Sequence, residues 1–318
     1  MVIETVTGAI NSSKLGRTLI HEHLRVRSEA VAAQFPHLYN EETELQKAME
    51  QINKVKEKGI HTICDPTVME LGRDIRFMEK VAKQTGMQII AATGIYSYYH
   101  IPAHFQKRTI DYMADLFIHD IEVGIQQTEI KAAFLKCAID ADGMTPDVEK
   151  VMRAVARAHK QTGRPIMTHS HPASESGLRQ IEVFIEEGVD LSKVLIGHTG
   201  DTNNIDYIKR VLDYGVFIGM DRYGLTREIS TEDRNDIVVE LAKNGYANQM
   251  FLSQDYCCTI DWYPEGKPQE LFPKWSMSFV IDEVIPDLLT NGVTQEQISL
   301  MMEDNARRWL SPRERLST

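Results

Sequence analysis

The feature that most constrains this chain is an alternation. Short apolar runs rich in β-branched residues recur at 17–21, 62–65, 88–93, 132–137, 165–169, 193–198, 216–220 and 249–253, each followed by a longer segment with apolar residues at helical spacing. Parallel strands need long crossovers, so a strand-then-helix repeat predicts a parallel sheet. Eight such units predict an α/β chain closed into a (β/α)8 TIM barrel. An open doubly wound sheet would want a glycine-rich turn after its first strand to cradle phosphates. Here the first run ends instead in His21, Glu22 and His23.

No Pro/Gly/Ser-rich linker interrupts the pattern, so the expectation is a single domain over 1–318, with 1–14 a cap or hairpin, 15–310 the barrel and 311–318 a tail. Helix punctuation agrees: Asn40 with Glu41 to Glu44 opens the first outer helix, Thr145, Pro146 and Asp147 open a middle one, and Gly163 ends it.

Composition narrows the partners. A net charge of -11, with lysines and arginines scattered, argues against nucleic acid and anionic membranes and for a small-molecule substrate. No stretch approaches the roughly 20 apolar residues of a membrane span, and no basic segment leads into an apolar run at the start, so the expected location is the cytoplasm. The 4 cysteines, including the adjacent Cys257 and Cys258, suit neither a disulfide framework nor a CxxC clip and are read as reduced thiols.

What points to chemistry is where the polar residues fall. His21, His23, Lys136, His169, His198 and Asp255 each stand at or just beyond the C-terminal end of an expected strand, the rim where barrel enzymes keep their active sites. One such histidine is ordinarily a satisfied packing residue, but the repeated placement is not explained that way. Side chains two apart on a strand share a side, so His21 and His23 face the axis together and Glu22 faces away. Imidazoles so paired suit zinc, iron, cobalt and related ions. Lys136 lies inside the run 132–137, where an ammonium is costly to bury. It can snorkel to the rim, form a Schiff base with a carbonyl substrate, or take up carbon dioxide as a carbamate able to bridge two metals.

These residues sit in motifs that resemble the phosphotriesterase family, and within it the phosphotriesterase-like lactonase branch. The motifs are Thr18-Leu19-Ile20-His21-Glu22-His23, Phe134-Leu135-Lys136, Thr168-His169-Ser170, Ile196-Gly197-His198-Thr199-Gly200-Asp201, Gly219-Met220-Asp221-Arg222-Tyr223-Gly224 and Ser253-Gln254-Asp255-Tyr256-Cys257-Cys258, in order along nearly the whole chain. The resemblance implies a binuclear centre: His21, His23 and Asp255 on the buried metal, His169 and His198 on the outer one, carboxylated Lys136 as bridge, and a hydroxide between two ions of zinc, iron, cobalt or manganese. His171 shares the parity of His169, and the match selects His169. One departure is Gln254, where several relatives carry histidine or asparagine; its side chain is expected to face away from the axis.

The lactonase branch further implies substrate residues. Tyr96 positions the ring or its oxygen, Arg222 orients a loop or the substrate amide, and Cys257 with Trp262 lines a channel for an acyl chain. Asp255 is the expected proton carrier between the hydroxide and the leaving oxygen. The expected activity is hydrolysis of N-acyl-homoserine lactones and other γ- or δ-lactones, with weak action on organophosphate triesters. Alternatives are a primary phosphotriesterase or other esterase on the same site, a Lys136 Schiff-base aldolase, and a non-catalytic binding barrel. A homodimer is expected from the resemblance, with Tyr98, Tyr99 and Ile101 as apolar rim residues available for cover. His37, His61, His104, His119 and His159 are read as surface or packing residues, and His100 is left undecided.

Overall fold

In the computed structural model, which describes residues 1–311, the apolar runs become the staves of a (β/α)8 barrel; residues 312–318 of the expected tail lie outside the described residues. The strands are β1 (Val2–Ile3), β2 (Ile10–Asn11), β3 (Thr18–Leu19), β4 (Glu22–His23), β5 (Thr62–Asp65), β6 (Gln88–Gly94), β7 (Phe134–Ala138), β8 (Ile166–His169), β9 (Val194–Gly197), β10 (Phe217–Met220), β11 (Met250–Leu252) and β12 (Tyr256–Cys257). β1 and β2 pair antiparallel as a hairpin. β3 and β5 to β11 pair in parallel, in chain order, into one 8-stranded sheet.

The first run is broken in a way its sequence does not announce. Thr18 and Leu19 pair with β5, whereas Glu22 and His23 turn to the other side and pair in parallel with Tyr256 and Cys257 of β12. The Asp255 N–H donates to the His21 carbonyl at 3.0 Å, extending that contact. The last segment thus meets the first at the C-terminal rim, where the expected site residues stand.

The outer helices begin and end as their residues direct. Asn40 accepts from Thr43 N–H at the start of Glu41–Glu57, Thr145 accepts from Val148 N–H at the start of Pro146–Thr162, and Gly163 closes that helix at φ 68°. Alternation on the strands sorts the core into two layers. On β7, Leu135 joins the apolar layer under the helices, while Phe134 belongs to the cluster inside the barrel with Ile90, Met167, Leu195 and Phe251. Trp309, from the helix Asn305–Leu310, closes the bottom with its ring 5.4 Å from Phe134 and 6.3 Å from Phe251. With the bottom filled by apolar side chains, the open, polar end is the top.

All 4 cysteines are buried free thiols. Among the described residues no helix is long and apolar enough to cross a membrane. Of the rim residues considered for subunit contact, Tyr99 is exposed, but Ile101 packs into this chain's own core.

Candidate metal centre

At the top of the barrel, His21 Nε2 and His23 Nε2 lie 3.3 and 3.2 Å from Asp255 Oδ1, and His198 Nε2 lies 3.8 Å from Asp255 Oδ2. Lys136 Nζ is 3.5 Å from His21 Nε2, and the His21 and His198 rings stack at 4.9 Å. Two of these residues hold unusual backbone: His198 at φ 61° and Asp255 at φ 52°, the left-handed region that non-glycine residues occupy at a cost and mainly at functional positions.

Each imidazole is held from behind. Asp221 Oδ2 accepts from His21 Nδ1 at 2.8 Å, and its Oδ1 accepts from both the backbone N–H and Nδ1 of His198 at 2.8 and 3.1 Å. His23 Nδ1 pairs with the Thr67 hydroxyl at 2.7 Å. Where a carboxylate takes the proton of Nδ1, the lone pair of Nε2 is left facing the centre, which is how metal-binding histidines are fixed in tautomer and direction. Gly219 makes room for this arrangement: a Cβ there would stand 2.4 Å from Asp221 Oδ2.

The donor set fits a divalent ion. Four ligands at zinc's ~2.0–2.1 Å in a tetrahedron stand about 3.3 Å apart, the separation of His21 and His23 from Asp255 Oδ1. His21, His23 and Asp255 form one group with ligand atoms within 4.8 Å of one another, and His21, His198 and Asp221 form a second. In the second group the Asp221 oxygens are already taken by N–H groups, so Asp221 orients imidazoles and leaves coordination to them. Burial lowers the affinity of His21, His198 and His169 for protons, His169 to about 4, so these imidazoles are neutral nitrogen donors, and it brings Lys136 down to about 8, where a fraction of the amine is unprotonated near neutral pH. Burial pushes the Asp255 carboxyl up, but His21, His23, His198 and Arg222 together outweigh it and hold it well below the usual range.

His169 stands beside this cluster, its ring 4.5 Å from that of His198. Its Nε2 is engaged by Asp140 at 2.9 Å, and its Nδ1 faces the Tyr96 hydroxyl at 3.1 Å. Nδ1 is therefore the nitrogen it offers. Tyr96 also bonds the Tyr98 hydroxyl and lies 6.4 Å, ring to ring, from Trp262. Arg222 donates to Asp255 Oδ2 at 3.0 Å and to Asp201 Oδ2 at 3.0 Å, and buried Arg234 donates to the other oxygen of Asp201 at 2.9 Å.

A cavity of about 510 Å³ opens over the cluster, with Tyr96, Arg222, Cys257 and Trp262 in its wall beside apolar Val26, Leu71, Leu225 and Ile260. His171 is at its edge, with Nδ1 on Ser174, while exposed His100 stands apart near Asp147. Gln254 faces away from the axis, donating to the Met277 carbonyl.

Sequence reasoning gives no role to Asp221, Thr67 or Asp140, and reads Tyr98 only as a rim residue for subunit cover, whereas its hydroxyl bonds that of Tyr96 in the cavity wall. Asp221 had a usable signal, since it follows β10 as the other polar residues follow their strands. Thr67 and Asp140 engage histidines 44 and 29 residues away along the chain.

Comparison with known proteins agrees with this architecture. The model of the phosphotriesterase family matches residues 1–310. An aryldialkylphosphatase of Saccharolobus solfataricus is 52% identical over 306 residues, 95% of this chain and 97% of that protein. The solved structure of the phosphotriesterase from Mycobacterium tuberculosis superposes with a TM-score of 0.95 at 40% identity, covering 98% of this chain and 99% of the other. More distantly, an N-acetyltaurine hydrolase of Xenopus tropicalis is 24% identical over 97% of each chain.

Proposed function

The chain belongs to the phosphotriesterase family, and from that premise we propose that it is a binuclear metal hydrolase that opens lactones, N-acyl-homoserine lactones and other γ- or δ-lactones among them. The observation that carries the proposal is the convergence of the His21, His23 and His198 Nε2 atoms on the two oxygens of one aspartate. His21, His23 and Asp255 would hold one ion, and His169 with His198 the other. Lys136 would bridge them as a carbamate, its neutral amine bonding to the carbon of carbon dioxide and losing one proton. Zinc, iron, cobalt and manganese all accept these ligands. When bound, such ions supply a Lewis acid for the carbonyl oxygen and lower the pKa of water towards 7.

The chain's own groups do the rest. Asp255 takes the proton that the attacking water gives up as its oxygen bonds to the carbonyl carbon, holds it on the carboxylate facing the imidazoles, and passes it to the oxygen whose bond to that carbon breaks, which in a lactone remains tethered to the product. Arg222 fixes the direction of that carboxylate through its Oδ2 contact. The Tyr96 hydroxyl, beside His169, is placed to orient the ring, and Cys257 and Trp262 give the wall an apolar side for an acyl chain. A second reading, primary action on aryl dialkyl phosphates, is favoured by the name of the relative at 52% identity. Both reactions build charge on an oxygen over the same centre.

The test is metal content per chain, with Lys136→Ala prepared alongside. About two ions in the parent and a marked loss in the variant support the centre. No metal in either, after growth with zinc or cobalt, refutes it and favours a lysine-dependent or binding role. Comparing kcat/KM for lactones and for an aryl dialkyl phosphate then separates the two substrate readings; inactivity on every lactone sinks the first.

A further inference from the structure

We propose that Glu22, the residue between the two histidines, is a positioning residue of the metal centre: it holds the left-handed turn at Asp255 and so aims that carboxylate at His21 and His23. The inference rests on the reading of Asp255 as a ligand. Strand alternation sends Glu22 to the side opposite the histidines, so it acts through the chain it grips.

That grip is specific. Fully buried Glu22 accepts at Oε1 from the Ser253 hydroxyl at 2.7 Å and the Gln254 N–H at 2.9 Å, and at Oε2 from the Tyr256 N–H at 2.8 Å. The N–H between those two, on Asp255 itself, donates to the His21 carbonyl at 3.0 Å. Three consecutive peptide N–H groups are therefore held by residues 21 and 22. The φ and ψ of Asp255 are the relation between the peptide planes on its two sides. One plane is fixed by the His21 carbonyl and the next by Glu22, which leaves Asp255 at φ 52°. A non-glycine residue persists there only where its surroundings over-determine it. The Ser253 hydroxyl also accepts from His21 N–H at 3.1 Å, so the same unit fixes the strand carrying the histidines. Glu22 thus couples the first and last ligand-bearing segments without touching a ligand atom.

Glu22→Gln tests this with little change of shape. A carboxamide accepts only at its oxygen, so its NH2 must meet either the Tyr256 N–H or the Gln254 N–H, donor against donor. Metal-free parent and variant are titrated with zinc against a chelator and with cobalt by visible absorption, and the thermal unfolding of both metal-free proteins is recorded. The expected result is a fall in affinity of about 10–100-fold, the usual effect of losing a group that orients ligands, with an altered cobalt spectrum. Ser253→Ala, which removes one hydroxyl donor to Glu22, is expected to weaken affinity by about threefold to tenfold, and it carries the test if Glu22→Gln does not fold. If the parent binds two ions and these variants bind zinc and cobalt like the parent, the proposal is overturned, even where their unfolding temperatures drop. A parent that binds no metal overturns the metal reading and this inference together.

Discussion

Asp221→Asn exchanges one oxygen for an amide nitrogen and leaves the outline of the side chain intact, so its effect is electronic. Asp221 accepts three N–H groups: His21 Nδ1 at 2.8 Å, His198 backbone N–H at 2.8 Å and His198 Nδ1 at 3.1 Å. An asparagine has one oxygen for them. The backbone N–H of His198 cannot reverse its polarity, so that oxygen must stay on the His198 side and the NH2 must face His21 Nδ1. His21 then either leaves two donors opposed, at about 1–3 kcal/mol, or moves its proton to Nε2, the atom 3.3 Å from Asp255 Oδ1. Either outcome opposes metal binding by this imidazole. The expected loss is about 10–100-fold in affinity, about 1.4–2.7 kcal/mol, read by zinc titration against a chelator. Asp221→Asn binding both ions with the parent's affinity would refute the claim that the groups behind the imidazoles set their tautomers.

Two further substitutions probe the surroundings. Asp201→Asn removes the charge between Arg222 and Arg234, both donating to it at 3.0 and 2.9 Å; a loss of about 3–5 kcal/mol in denaturant unfolding is expected from leaving buried Arg234 without its carboxylate, together with a lower kcat as Arg222, still held by Asp255, loses its second anchor, and parental stability would contradict it. Trp309→Ala leaves a void under Phe134 and Phe251 at the barrel bottom and is expected to cost about 3–5 kcal/mol of stability while the metal content of the folded protein stays at the parental value.

The architecture was readable because parallel strands and their crossovers leave periodic marks in a sequence, and because a barrel presents its chemistry at one end of every strand. That is why His21, Lys136, His198 and Asp255 could be picked from position alone. What could not be read was their mutual arrangement. Nothing local to Thr18–Leu19 says that pairing with β5 stops there and that Glu22 and His23 turn to β12. The positive φ of His198 and Asp255 runs against their intrinsic preference and arises from hydrogen bonds to residues remote in sequence. Asp221 shows the same limit: its place at a strand end was visible, but its acceptance from two histidines on different strands is a property of closure.

The pairing of the first and last strand segments also decides when the site can exist. His21 N–H meets Ser253 Oγ across 232 residues of chain, and loop closure of that length must precede the contact. During synthesis the two histidines emerge long before Asp255, so a nascent polypeptide has imidazoles to offer an ion well before it has the carboxylate. Ion capture in its final form is therefore a reporter of ring closure, and a stalled chain ending before residue 255 is a natural control for the order of those two events.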